Sequence, residues 1–110
     1  MIEVTLEGSD IRACRTHGTR ADLVEVVIDV DEFGSPLGIE ILELLDRYPR
    51  MAGELRLLVG EGIEISVDED AGVIYLRLAE GRSFDQVVRL AAVAVGPDDA
   101  LLGIHTRLEL

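Results

Sequence analysis

Apolar residues recur at every second position along most of this chain, and that period restricts what it can fold into. Ile2, Val4 and Leu6 alternate with Glu3, Thr5 and Glu7, and Val24, Val26, Ile28 and Val30 alternate with Glu25, Val27, Asp29 and Asp31. Ile63, Ile65 and Val67 alternate in the same way with Glu64, Ser66 and Asp68. Side chains of a strand leave opposite faces in turn, so this period marks strands with one buried face. Turn chemistry punctuates the runs at Gly8-Ser9-Asp10, at Gly34 and Pro36, at Asp68 to Gly72 and at Pro97-Asp98-Asp99. Leu37, Ile39 and Ile41 resume the period, so 24–42 reads as a β-hairpin. Ile11 and Ala13 make a weaker strand, Ile74, Leu76 and Leu78 face 63–67, and Leu102, Ile104, Thr106 and Leu108 close the chain.

Two stretches depart from this period. Tyr48, Met51 or Ala52, Leu55, and Leu58 or Val59 fall three and four apart, which predicts one amphipathic helix over about 49–59. Pro49 suits its first turn and Gly60 its end. Residues 84–95 are apolar on both faces and fit helix or strand; Val87, Val88, Val93 and Val95 favour strand. The fold class expected is α+β: mostly antiparallel β-hairpins in two similar halves with one connecting helix. A single domain of 110 residues is then divided into a diverged β unit (1–45), a helical connection (46–61) and a second β unit (62–110). Without gaps, Val30, Leu37, Gly38, Ile39 and Leu45 match Val95, Leu102, Gly103, Ile104 and Leu110, an offset of 65. The offset is 61 where Ile2-Glu3-Val4 parallels Ile63-Glu64-Ile65. Duplication accounts for these matches, and so does common β-patterning. Duplicated units can pack about a pseudo-two-fold axis, as a homodimer would.

The run Asp68-Glu69-Asp70-Ala71-Gly72-Val73-Ile74-Tyr75-Leu76-Arg77-Leu78, followed after a spacer by Leu102-Gly103-Ile104, resembles the small bacterial family called domain of unknown function 2283. The first half carries the same ending as Leu37-Gly38-Ile39-Glu40-Ile41. Two positions and one segment depart from the family's pattern. Gly72 stands where an acid is usual, His105 where the other half has Glu40, and Ile11-Arg12-Ala13-Cys14 where a Tyr-aliphatic-Arg-Leu strand is expected. The family has no established activity. By analogy with small uncharacterised families of its kind, the resemblance implies a small partner of a toxin-like protein.

Charge bounds the partners. Asp and Glu number 22 against 10 basic residues, all Arg, for a net charge of −12. Residues 1–55 hold 12 acids and 5 Arg and residues 56–110 hold 10 and 5, so the acidity belongs to the whole fold. Such a surface repels nucleic-acid phosphates and anionic membranes. It steers a basic protein inward, and it equally serves solubility. The single Cys14 excludes an intramolecular disulfide and fits a reducing cytoplasm. No basic-then-apolar leader opens the chain, and the longest apolar run, Leu90 to Val95, is too short to span a bilayer.

Few residues offer catalytic chemistry. His17 sits in a polar loop and His105 on the polar side of a terminal strand, neither in a setting that demands catalysis. Asp29 and Asp31 leave one face of a strand, and Asp68 and Asp70 share that spacing in a turn; acids are ordinary at both places. Calcium would need a longer ordered set of oxygen ligands. Gly60-Glu61-Gly62 lacks the further Gly and Lys of a phosphate loop and puts an acid where the anion would sit. No metal, cofactor or catalytic set is expected. The function expected is a non-catalytic acidic protein-binding module, of antitoxin or immunity-inhibitor type, contacting a basic partner through Asp29, Asp31, Glu32, Asp68, Glu69 and Asp70. The alternatives are a structural domain that self-associates as a homodimer, and last a carboxylate-based enzyme.

Overall fold

The structure is a computed structural model and describes residues 4–7, 10–13, 20–56 and 64–107. The strands are β1 (Val4–Glu7), β2 (Asp10–Ala13), β3 (Arg20–Val30), β4 (Pro36–Ile41), β5 (Glu64–Asp68), β6 (Val73–Arg77), β7 (Asp85–Val95) and β8 (Leu101–Arg107). Two helices, α1 (Leu44–Arg47) and α2 (Met51–Arg56), lie between β4 and β5. Every pairing is antiparallel, and the strands form one sheet in the order β1-β2-β8-β7-β3-β4-β6-β5.

The expected α+β class is therefore wrong: the fold is mainly β, and hairpins account for nearly all of it. The helix expected over about 49–59 is present as α2, with 57–59 outside the described residues; α1 before it was not expected, and Pro49 accounts for the break between the two. A residue before proline is pushed out of the α region, and Tyr48 ends α1 at φ −131°, ψ 76°. The Met51 amide then donates to the Tyr48 carbonyl (3.0 Å) and α2 restarts. Of residues 84–95, Asp85–Val95 form strand β7. Ile2, Cys14, His17, Gly60-Glu61-Gly62, Ile63 and Leu108 lie outside the described residues.

The centre of the sheet is the β3–β7 pair, whose register runs from Arg20 opposite Val95 to Val30 opposite Asp85. Exchanging β1–β4 with β5–β8 leaves the sheet order unchanged when it is read from the other end. The offset of 65 that matched Val30 to Val95 also carries Arg20, the start of β3, onto Asp85, the start of β7.

One face of the sheet is covered. Val24, Val26 and Ile28 of β3, Ile39 and Ile41 of β4, Ile74 and Leu76 of β6, and Ala91 and Val93 of β7 meet Leu44, Met51 and Leu55 of the helices. α2 touches both β5 and β8. These strands are five places apart, about 24 Å across a flat sheet, whereas a helix is about 10 Å wide. The sheet must curl around the helices to make both contacts. Tyr48 anchors the helical layer by donating its hydroxyl to Asp22 of β3, and Arg47 Nη1 donates to the Leu23 carbonyl at 3.1 Å.

Met51 is fully buried, so Met51→Ala should cost about 2–5 kcal/mol in urea unfolding. Gly53 lies in α2 with open space where a Cβ would stand, so Gly53→Ala should stabilise by about 0.5–1 kcal/mol. A stabilised Met51→Ala, or a destabilised Gly53→Ala, contradicts this packing.

Candidate functional site

The face of the sheet opposite the helices takes the other residue of each alternating pair: Leu23, Glu25, Val27 and Asp29 on β3, and Gln86, Val88, Leu90 and Ala92 on β7. The register sets Leu23 against Ala92, Glu25 against Leu90, Val27 against Val88 and Asp29 against Gln86. Leu23, Val88 and Leu90 are exposed. Phe84, one residue before β7, continues the alternation, and its amide donates to the Val30 carbonyl at 2.8 Å.

At this end of the sheet the β3–β4 turn is fixed by Asp31. Its Oδ1 accepts the amides of Phe33 and Ser35, each at 2.9 Å, and its carbonyl accepts the Gly34 amide at 3.0 Å. Gly34 has φ +80°, a conformation that favours glycine. This rigid turn holds Phe33 84% exposed, and Phe84 beside it is 74% exposed. Asp31, Glu32 and Phe33 from the turn, with Gly81 to Phe84 from the loop before β7, line a cleft of about 570 Å³.

Beside the stripe, Tyr75 of β6 reaches across β4 to Asp29 of β3. Gly38 of β4 makes room, because a Cβ there would lie 2.0 Å from the Tyr75 hydroxyl oxygen. That hydroxyl donates to Asp29 Oδ2 at 3.2 Å, and Gln86 Nε2 donates to Asp29 Oδ1 at 2.8 Å. Both oxygens of Asp29 are thus engaged. Desolvation first, and then the Asp29 charge, raise the Tyr75 pKa above its ordinary 10.0, with a smaller contribution from Glu40 and some relief from Arg77.

The six expected contact acids do not form one site. Asp29, Asp31 and Glu32 gather at the Phe33–Phe84 end. Asp68, Glu69 and Asp70 occupy the β5–β6 turn at the opposite end of β6, where Asp68 Oδ1 caps the Ala71 amide at 3.1 Å. His105 lies opposite Ala92 on the outer face. Among the described residues, no group of three or more His, Cys, Asp or Glu could hold a metal, and no helix is long and apolar enough to cross a membrane.

The apolar part of the site escaped sequence reasoning. Leu23, Phe33, Phe84, Val88 and Leu90 are the exposed large hydrophobics among the described residues, and all belong to this stripe or its end. Two signals pointed to it: a phenylalanine in the turn Glu32-Phe33-Gly34, and a strand apolar on both faces. No protein-family model, curated protein or solved structure matches the chain.

Tyr75 should titrate above 10.0 when followed by phenolate absorbance in a Tyr48→Phe background. A phenol whose pKa is raised by folding contributes stability below pH 10 that is lost as pH climbs through the folded value. Tyr75→Phe should therefore flatten the alkaline fall in stability; an unchanged slope contradicts the raised Tyr75 pKa.

Proposed function

We propose that this protein is a non-catalytic, acidic protein-binding module that docks a basic partner on the outer face of its sheet, as an antitoxin or immunity-type inhibitor docks its target. One observation carries the reading: the exposed large hydrophobics of the described chain form a single stripe beside a row of acids. Buried, each such side chain is worth about 1.5–3 kcal/mol. Exposed together on strands and a pinned turn, they are preorganised anchors of the kind that dominate interfaces.

The two ends of the sheet support the same reading. The offset of 65 that relates β3 to β7 places Asp98 of the β7–β8 turn at the position of Phe33 and Thr19 at that of Phe84. Asp98 and Asp99 are tied by Arg50 at 3.2 and 3.7 Å. Acids bound to the scaffold occupy one turn, and an exposed aromatic occupies the other. The resemblance to domain of unknown function 2283 belongs with this proposal and adds no activity to it, and the single Cys14 suits a cytoplasmic setting. Catalysis by an acid pair is disfavoured where Asp29 is already held by Tyr75 and Gln86.

The open apolar stripe also favours a second reading, self-association. Charge opposes it: a face-to-face pair would set Glu25, Asp29 and Asp31 against their own copies at a net charge of −12 each. A constant monomer mass in sedimentation across concentration is expected, and a rising mass would support the homodimer.

Immobilised protein, exposed to a lysate of its source cells, should retain a basic protein stoichiometrically and release it at moderate salt. Val88→Glu/Leu90→Glu should retain none. Retention of the same protein by that variant would sink the outer-face reading. With the partner in hand, Glu25→Arg and Glu32→Arg should slow association about tenfold each and weaken its salt dependence. Glu69→Arg and Asp70→Arg, at the far turn, should change it little. Asp31 is avoided as a probe because its loss would release the turn.

A further inference from the structure

The cleft between the β3–β4 turn and the loop before β7 carries both signs of charge between two exposed aromatic rings. This inference rests on the protein-binding reading and goes further, to the part of the partner that the cleft takes. We propose that it receives a short segment of the partner in which an apolar side chain stands between a basic one and an acidic one.

Both walls are fixed to the sheet. On one, Asp31 Oδ1 holds the Phe33 and Ser35 amides, and the Asp31 amide donates to the Ser35 carbonyl at 2.9 Å. On the other, the Leu78 and Ala79 amides donate to the Leu37 carbonyl at 2.8 and 3.1 Å, and the Phe84 amide donates to the Val30 carbonyl at 2.8 Å. Between these anchors Gly81 lies against Leu37, and a Cβ at Gly81 would stand 2.8 Å from Leu37 Cδ2. A larger residue there would push the loop outward. The fold thus sets the width of the cleft before any ligand arrives, which lowers the cost of binding.

The walls differ in charge. Glu32 lines the wall of the turn, beside Asp31, and Arg82 lines the wall of the loop. Among the described residues neither is held in an ion pair, with the other or with a third group. Arg77, the neighbouring guanidinium on the outer face, is engaged by Glu64 at 3.6 Å. A purely basic ligand would meet Arg82, and a purely acidic one would meet Asp31 and Glu32. A ligand that carries both charges satisfies the two walls at once.

The apolar part follows from the rings. Phe33 and Phe84 line the same cleft and are exposed, and aromatic surface of this kind gains most from covering an apolar group. Phe84 also continues the outward alternation of Gln86, Val88 and Leu90. The cleft is therefore continuous with the stripe that the partner covers, which favours a protein segment over a free amino acid bearing the same charges.

The test uses the full chain, isotope-labelled, and pentapeptides blocked at both ends, followed by amide chemical shifts. Gly-Arg-Leu-Glu-Gly should shift the amides of Phe33, Arg82, Ser83 and Phe84, and Gly-Arg-Leu-Arg-Gly should bind at least about tenfold more weakly. Arg82→Glu should reverse that order, because both walls are then acidic. No shifts at the cleft with the first peptide, or an order that Arg82→Glu leaves unchanged, would overturn the proposal. Free leucine, with its ammonium and carboxylate, should leave these amides unmoved; shifts equal to those of the peptide would make the ligand a free amino acid and overturn the partner segment. The protein-binding reading fails separately, if the Val88→Glu/Leu90→Glu variant retains the same partner from lysate.

Discussion

The antiparallel pairing of β3 with β7 is the contact on which the rest of the structure depends. Its inner face supplies Val24, Val26, Ile28, Ala91 and Val93 to the core beneath the helices. Its outer face supplies Leu23, Val88 and Leu90 to solvent. Its two ends launch the β3–β4 and β7–β8 turns, and its free sides receive β4 and β8, which in turn carry the β5–β6 and β1–β2 hairpins. A register slip of one residue would exchange the faces, exposing the core and burying Glu25 and Asp29. The aliphatic inner row sets the register, so the position of the outer stripe follows from the same constraint that builds the core.

Both tyrosines brace β3, from opposite sides. Tyr48 holds Asp22 from the helical layer, and Tyr75 holds Asp29 across Gly38 on the open face. These contacts give two of the chain's many acids scaffold roles and remove Asp29 from the set available for chemistry.

Much of the β architecture was legible because period two is a local signal. The 24–42 hairpin and the strands around Ile65, Ile74 and Ile104 follow from alternation and turn residues alone. The helix from Pro49 onward was legible from its spacing, and α1 was missed because Leu44 to Arg47 is a single turn that ends where Pro49 displaces Tyr48 from helical geometry. Residues 84–95 were ambiguous because Val88, Leu90 and Ala92 are apolar although they face outward and are exposed. The grouping of the six acids was not legible. Asp29 and Asp31 stood out by their spacing, but the separation of Asp29, Asp31 and Glu32 from Asp68, Glu69 and Asp70 depends on the β4–β6 pairing, which joins strands more than 30 residues apart.

The decisive property of the outer face is that none of the described residues covers it. Urea unfolding of a Phe33→Ser/Phe84→Ser/Val88→Thr/Leu90→Thr variant measures this directly, since Thr keeps the strand propensity of the two β7 positions. Uncovered side chains contribute little to folding, so the stability should stay within about 1 kcal/mol of the parent. A loss of several kcal/mol, as for core truncations, would mean that these side chains are buried within the protein itself and that the stripe is not a docking surface.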